Sequence, residues 1–158
     1  MWLLVSPQNP LKGEHGMAPL AARLASAKAV ARHPRIRARA LETEFGTRFA
    51  VDTARALVRR FPAHRFVWLM GADNLAELHR WRHWRRFART IAIAVFARPG
   101  YGLEARGAPA MAWLRRWRHE TPRDWTRWTP PGIVFIDIRL DPRSATGIRA
   151  ARPDWAKT

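Results

Sequence analysis

Cysteine is absent from the chain. That removes disulfides and thiolate metal sites, and it fits a reducing compartment. No apolar run approaches the roughly 18 residues of a membrane span. No stretch reads as a secretory signal either, so a cytoplasmic location and no membrane partner are expected. Acidic residues are few, 12 against 29 Lys and Arg, which leaves a net charge of +17. Lysine is also scarce, with only Lys12, Lys28 and Lys157. Several catalytic signatures are missing. There is no GxxxxGK[ST] phosphate loop and no GxGxxG fingerprint. There is no GxSxG elbow for Ser-His-Asp catalysis and no HExxH. His79 and His83 would share a face of a helix, but zinc sites need at least three protein ligands and no third is apparent. No protein-held metal is expected.

What is present is arginine, with alanine, proline and nine tryptophans. The charge admits three readings: nucleic-acid binding, a phosphorylated small-molecule substrate, or genome-wide composition bias. The arginines are scattered rather than gathered in one tract, which speaks against nucleic acid as the partner. The 158 residues suit one domain, since a chain of this size buries about 70% of its unfolded surface.

The best-defined stretch runs from Phe66 to Tyr101. Phe66–Met70 and Ile91–Phe96 are short apolar runs closed by Gly71 and by Arg98-Pro99-Gly100. Such runs suit strands buried on both faces. Asp73 stands where it could cap a short helix. Strands alternating with helices predict a parallel sheet, whose ligands bind beyond the strand C-terminal ends. Elsewhere, Trp2–Val5 reads as a strand and Pro19–His33 as a helix with Leu20, Leu24, Ala27 and Val30 on one side. Residues 36–41 form a weak strand and 42–48 a loop. A helix runs from near Asp52 to Phe61, with Val51, Ala54, Leu57 and Val58 inward. Tyr101–Pro109 reads as a flexible Gly-rich loop, Met111–His119 as a helix, Thr121–Pro131 as irregular and Ile133–Ile136 as a strand. Residues 113–128 read as a variable insertion or surface helix.

Three groups could carry chemistry. Ser144-Ala145-Thr146-Gly147-Ile148-Arg149 follows a strand; hydroxyls at a helix start with an Arg one turn on form a phosphate cradle, or simply an N-cap. Ser6-Pro7-Gln8-Asn9-Pro10-Leu11-Lys12 is a stiff turn offering an amide and an ammonium, or a plain surface turn. A Trp on a loop beyond a strand end could stack on a pyridinium.

Taken together, Ser6–Lys12, Glu42–Thr53 (ETEFGTRFAVDT), Gly71–Leu75 with Trp81, Arg98–Tyr101 and Ser144–Arg149 occur in an order that resembles bacterial nicotinate-nucleotide adenylyltransferases, of the nucleotidyltransferase superfamily. The resemblance covers nearly the whole chain. It implies an α/β fold, a Rossmann-like parallel sheet with flanking helices, in a single domain over 1–158. It implies transfer of the adenylyl group of ATP to nicotinate mononucleotide, with Mg2+ accompanying ATP, giving deamido-NAD and pyrophosphate. The partners it implies are ATP and nicotinate mononucleotide, with a homo-oligomer left open. By resemblance, Ser144, Thr146 and Arg149 hold the ATP phosphates and Asp73 belongs to the nucleotide site. Asn9 and Lys12 approach the mononucleotide phosphate, with Arg98 near that site. Trp81 stacks on the nicotinate ring, and Thr47 to Ala50 form its recognition loop, with Ala50 where the family often has Thr.

One departure is large. The family's first strand and its G-x-[FT]-[ND]-P-x-H-x-G-H loop, whose histidines bind ATP phosphates, have no counterpart; HxGH occurs nowhere in the chain. The expectation is a domain truncated at its N-terminus, lacking half its ATP site. Either Met1 is internal to a longer, active protein, the reading favoured by the intact remaining motifs, or the chain is an inactive remnant.

Overall fold

The computed structural model describes residues 1–8, 17–140 and 147. Asn9, Lys12, Ser144, Thr146 and Arg149, all named above, lie outside the described residues. The chain divides into two compact units, residues 1–48 with 143–158, and residues 49–142.

In the first unit, β1 (Trp2–Leu4) pairs in parallel with β2 (Arg37–Arg39). Between them lies α1 (Leu20–Val30), entered from Pro19. Proline suits that place because a helix start needs no N–H from it. The expected apolar stripe is incomplete, since Val30, the last helical residue, is 71% exposed. The stretch expected to be a loop contains a short helix, α2 (Leu41–Phe45). Its cause is local. Gly46 adopts the left-handed conformation (φ 63°), which glycine tolerates without a Cβ penalty, and Thr47 N–H then bonds the Glu42 carbonyl at 2.8 Å. Leu41 is buried, and Arg39 grips Glu44 through two bonds of 3.0 and 2.5 Å.

The second unit holds a four-stranded sheet in the order β3–β4–β6–β5: Val67–Gly71, Ala92–Phe96, Ile133–Ile136 and Arg118–His119. All its pairings are parallel. The helices are α3 (Ala50–Arg60), α4 (Ala72–Glu77), α5 (Trp84–Thr90), α6 (Gly102–Gly107) and α7 (Pro109–Leu114). One sheet face packs with them around Leu75, Leu78, Phe87, Ile93, Val95, Leu114 and Ile133. The other face gathers Ala92, Ala94, Val134 and Trp128. Fully burying a Leu, Ile or Phe contributes about 1.5–3 kcal/mol, so the first cluster is the main source of this unit's stability.

Alternation of strand and helix predicts this parallel arrangement, but four details differ. Only β4 is buried on both faces. In β3, which pairs only with β4 in this sheet, Leu69 is 42% exposed. Residues 102–107 are helical because Ala105 is buried and its N–H bonds the Tyr101 carbonyl at 3.0 Å. The predicted helix over 111–119 stops at Leu114, passes through a 3-10 turn (Arg115–Trp117) and becomes β5. Within residues 113–128, Arg118 and His119 thus add a two-residue edge strand to the sheet, and the rest is helix end, 3-10 turns and bends. His119 stacks on buried Trp128, with ring centres 4.8 Å apart. In α3, Thr53 and Ala56 join Val51, Ala54 and Leu57 inside, while Val58 faces out.

Candidate functional site

The parallel pairing of β3 with β4 sets Gly71 opposite Phe96. Two residues past each of these positions the chain carries Asp73 and Arg98. The register therefore brings together two side chains 25 residues apart in sequence, at the C-terminal edge of the sheet. Arg98 Nη1 donates to Asp73 Oδ2. The pair is partly open, with 41% of the Arg98 side chain and 26% of the Asp73 side chain exposed.

Asp73 does not cap α4. Gly71 is the N-cap residue and Asp73 sits within the first turn, making no capping bond. Its Oδ1 is buried without a hydrogen-bond partner among the described residues. That oxygen lies over the Gly71 α-carbon, where a Cβ would meet it at 2.4 Å. Gly71 is thus required by the carboxylate's position and not by backbone conformation, since its φ is −79°. The sequence signal was the glycine before Ala72-Asp73, but its reason is visible only in three dimensions. A buried, unpaired carboxylate oxygen costs free energy unless something satisfies it. A ligand hydroxyl or amide could do so.

Trp81 follows the 3-10 turn Leu78–Arg80 that extends α4. Its ring is half-buried and leans on Phe87 (centres 5.6 Å apart), which in turn stands edge-on to Trp68 at 5.2 Å. Phe87 is 1% exposed, so it gives the indole a fixed backing. Nearby on the same segment, the Arg82 guanidinium lies 4.6 Å from the centre of the Phe49 ring. His79 and His83 do not share a helical face. His79 belongs to the 3-10 turn, and His83, in a left-handed conformation, precedes α5.

Thr47 belongs to the first unit, where its N–H closes α2. That unit also contains a clamp that the sequence did not reveal. Arg23 on α1 donates to three carbonyls, those of Ala18 (2.9 Å), Ser6 (2.5 Å) and Pro7 (2.8 Å). Ser6 Oγ contacts both the Gln8 carbonyl at 2.9 Å and Glu42 Oε2. Burial pushes the Glu42 carboxyl above its ordinary range, and the Ser6 hydroxyl opposes this. A hydroxyl has one hydrogen. An ionised Glu42 therefore competes with the Gln8 carbonyl for it, whereas a protonated Glu42 can itself donate to Ser6. The segment entering the Ser6–Lys12 motif is consequently held by one arginine and one half-buried acid.

A parallel sheet with flanking helices, and ligand-facing positions at its C-terminal strand ends, places the second unit among Rossmann-like α/β folds. A solved structure titled "Plasmodium falciparum nicotinic acid mononucleotide adenylyltransferase complexed with APC" shares this fold with a TM-score of 0.57 at 11% identity, matching 92% of this chain and 61% of that one. No protein-family model matches the chain. A protein of Erythrobacter litoralis named "Probable nicotinate-nucleotide adenylyltransferase" is 54% identical over 157 residues, 98% of this chain and 72% of that protein. Relatives of the same name in Parvibaculum lavamentivorans (48% identical, 78% of that protein) and Cereibacter sphaeroides (47%, 80%) align over 99% and 95% of this chain. The chain belongs to the nicotinate-nucleotide adenylyltransferase family. Among the described residues no helix is long and apolar enough to cross a membrane.

Proposed function

We propose that this protein transfers the adenylyl group of ATP to nicotinate mononucleotide in NAD biosynthesis. A phosphate oxygen of the mononucleotide attacks the α-phosphorus of ATP; the bond to the β-phosphate bridging oxygen breaks, and deamido-NAD and pyrophosphate form. No covalent enzyme intermediate is needed, so the protein's work is positioning and charge stabilisation. The observation that carries the reading is the Asp73–Arg98 pair at the strand ends, within a chain about half identical to its named relatives.

The roles follow from chemistry. Arg98 presents an exposed guanidinium edge to a substrate phosphate while Asp73 holds its other side. Asp73 Oδ1 accepts from a nucleotide donor. Trp81, backed by Phe87, offers its outer face to the nicotinate ring. Thr47 and the following loop receive the nicotinate carboxylate. Asn9 and Lys12 meet the mononucleotide phosphate, and Ser144, Thr146 and Arg149 meet the ATP phosphates. Residues 1–158 act as one domain in this reading.

Mg2+ would come with ATP. Among the described residues no three His, Asp or Glu side chains gather into a metal site. In this reading the ion takes its oxygens from phosphate and water. When bound it neutralises charge on the phosphates.

The test is turnover by the purified protein with ATP, Mg2+ and nicotinate mononucleotide, following deamido-NAD and pyrophosphate. Trp81→Ala is expected to raise KM for the mononucleotide more than it lowers kcat. A folded protein that turns over neither nicotinate nor nicotinamide mononucleotide overturns the proposal.

A further inference from the structure

A cavity of about 340 Å³ opens on the second unit between α6, α7, the 3-10 turn after it, β5 and β6. Its floor is apolar: Ala108 and Met111 are buried, and Phe135 of β6 is half-buried. Its rim carries three arginines, Arg106, Arg115 and Arg118. None of them belongs to the residues given a role above.

Two of the three guanidiniums lie over one aromatic ring. The Arg106 guanidinium carbon lies 5.1 Å from the centre of the Phe135 ring, and that of Arg118 5.8 Å from the same ring. A guanidinium next to an aromatic ring can keep its N–H edge free for a ligand. Among the described residues, Arg106 and Arg115 make no ion pair. Arg118 has only Glu120, 3.7 Å away and with 84% of its side chain exposed. Arginine cannot relieve crowding by losing its proton. Three positive groups around one small, apolar-floored cavity therefore repel one another and focus positive potential into it. The ring contacts offset part of that repulsion for Arg106 and Arg118, and an anion seated among the three would reverse its sign.

We propose that this cavity is a second binding site, for a small anion carrying more than one phosphate group. The size favours a small molecule, since such sites typically enclose about 300–1,000 Å³. The fork geometry of arginine favours phosphate, which it can grip through two parallel bonds. Several guanidiniums on one rim favour a polyphosphate over a single phosphate. The anion can come from inorganic polyphosphate or from the tail of a nucleoside polyphosphate; both present the same chemistry to the rim.

The test is calorimetric titration of the full chain with inorganic tripolyphosphate, at low salt and without added nucleotide, the rim variants separating this cavity from phosphate binding elsewhere. The proposal expects saturable binding, weakened about tenfold or more by each of Arg106→Gln and Arg115→Gln, the usual loss for a charge-assisted contact. Ala112→Glu, which places a carboxylate at the rim without removing any packing, should weaken binding comparably. It keeps the test decisive if an arginine variant unfolds. Arg106→Lys should restore only part of the affinity, because an ammonium cannot grip bidentately. Titration with CTP at the same salt separates the sources: binding tighter than tripolyphosphate assigns the nucleotide form, and equal or weaker binding assigns the inorganic one. Unchanged affinity in the Gln and Glu variants, or no binding by the wild-type chain, overturns the proposal. So does a single-stranded oligonucleotide that binds the rim more tightly than tripolyphosphate, since that would make it a nucleic-acid surface.

Discussion

Replacing Gly71 by alanine tests whether the Asp73–Arg98 pair is positioned as described. The backbone at Gly71 suits any residue (φ −79°, ψ 161°), so no conformational strain is introduced. The new Cβ would stand 2.4 Å from Asp73 Oδ1, 3.6 Å from Asp73 Cγ and 3.8 Å from Arg98 Cδ. The first distance is roughly 1 Å short of ordinary contact, so the carboxylate must swing away, and its bond to Arg98 goes with it. The energetic loss is modest. A pair this exposed contributes about 0–1 kcal/mol, so Gly71→Ala should lower the stability by about 1 kcal/mol, or ~2–4 °C in Tm for a chain of this size. The cost to substrate binding should be larger, because both side chains leave their places. A double-mutant cycle isolates the cause. In an Asp73→Ala background the clashing atoms are gone, and Gly71→Ala should cost less by about 1 kcal/mol. Any loss of glycine as N-cap is common to both arms and cancels. The measurements are thermal unfolding and KM for both substrates. Equal costs in the two backgrounds would refute the reasoning.

Other predictions follow from the first unit and the core. Burial raises the Glu42 carboxyl above its usual 4.5, so the folded chain binds this proton more tightly than the unfolded one. The resulting stability is fully present below about pH 4.5 and is lost as pH rises through the raised folded value. Glu42→Gln, neutral throughout, should flatten that part of the wild-type urea-denaturation profile; a difference of opposite slope would contradict the assignment. Arg23→Ala removes three charge-assisted bonds and should cost about 2–3 kcal/mol in urea, less than their sum because they act together. Arg23→Lys should recover little, since one ammonium cannot span three carbonyls placed for a fork. Phe87→Ala should cost about 3–5 kcal/mol and raise KM for the mononucleotide, because Trp81 loses its backing. A stability loss with unchanged KM would separate Trp81 from substrate binding.

Much of the fold was legible because parallel α/β structure writes itself locally. The uninterrupted apolar run at Ala92–Val95 marked a central strand, and those four residues are all buried. Ile133–Ile136 matches its expected bounds without change. What misled were residues whose local chemistry pointed one way and whose tertiary contacts pointed another. Gly46 suggested a loop at 42–48, yet it is what ends a helix. The two glycines at 102 and 107 suggested flexibility, yet Ala105 is buried. Thr53 is polar but wholly buried, with its hydroxyl 3.3 Å from the Phe49 carbonyl.

The sequence by itself determined the family, because five short motifs in order are specific even where each alone is weak. It also directed the expected chemistry to the ends of parallel strands, since ligands of open α/β sheets bind beyond those ends. Tertiary structure alone decided which side chains meet. Asp73 and Arg98 become partners only through the register of β3 on β4. Arg23 finds its three carbonyls only because α1 lies beside the turn after β1. Arg106, Arg115 and Arg118, scattered among 29 basic residues, become one cationic rim only when Phe135 and the ends of three elements converge. Hydrophobic period and turn chemistry are carried by neighbours in sequence, whereas charge and hydrogen-bond pairing depend on distances of a few ångströms between residues far apart in the chain.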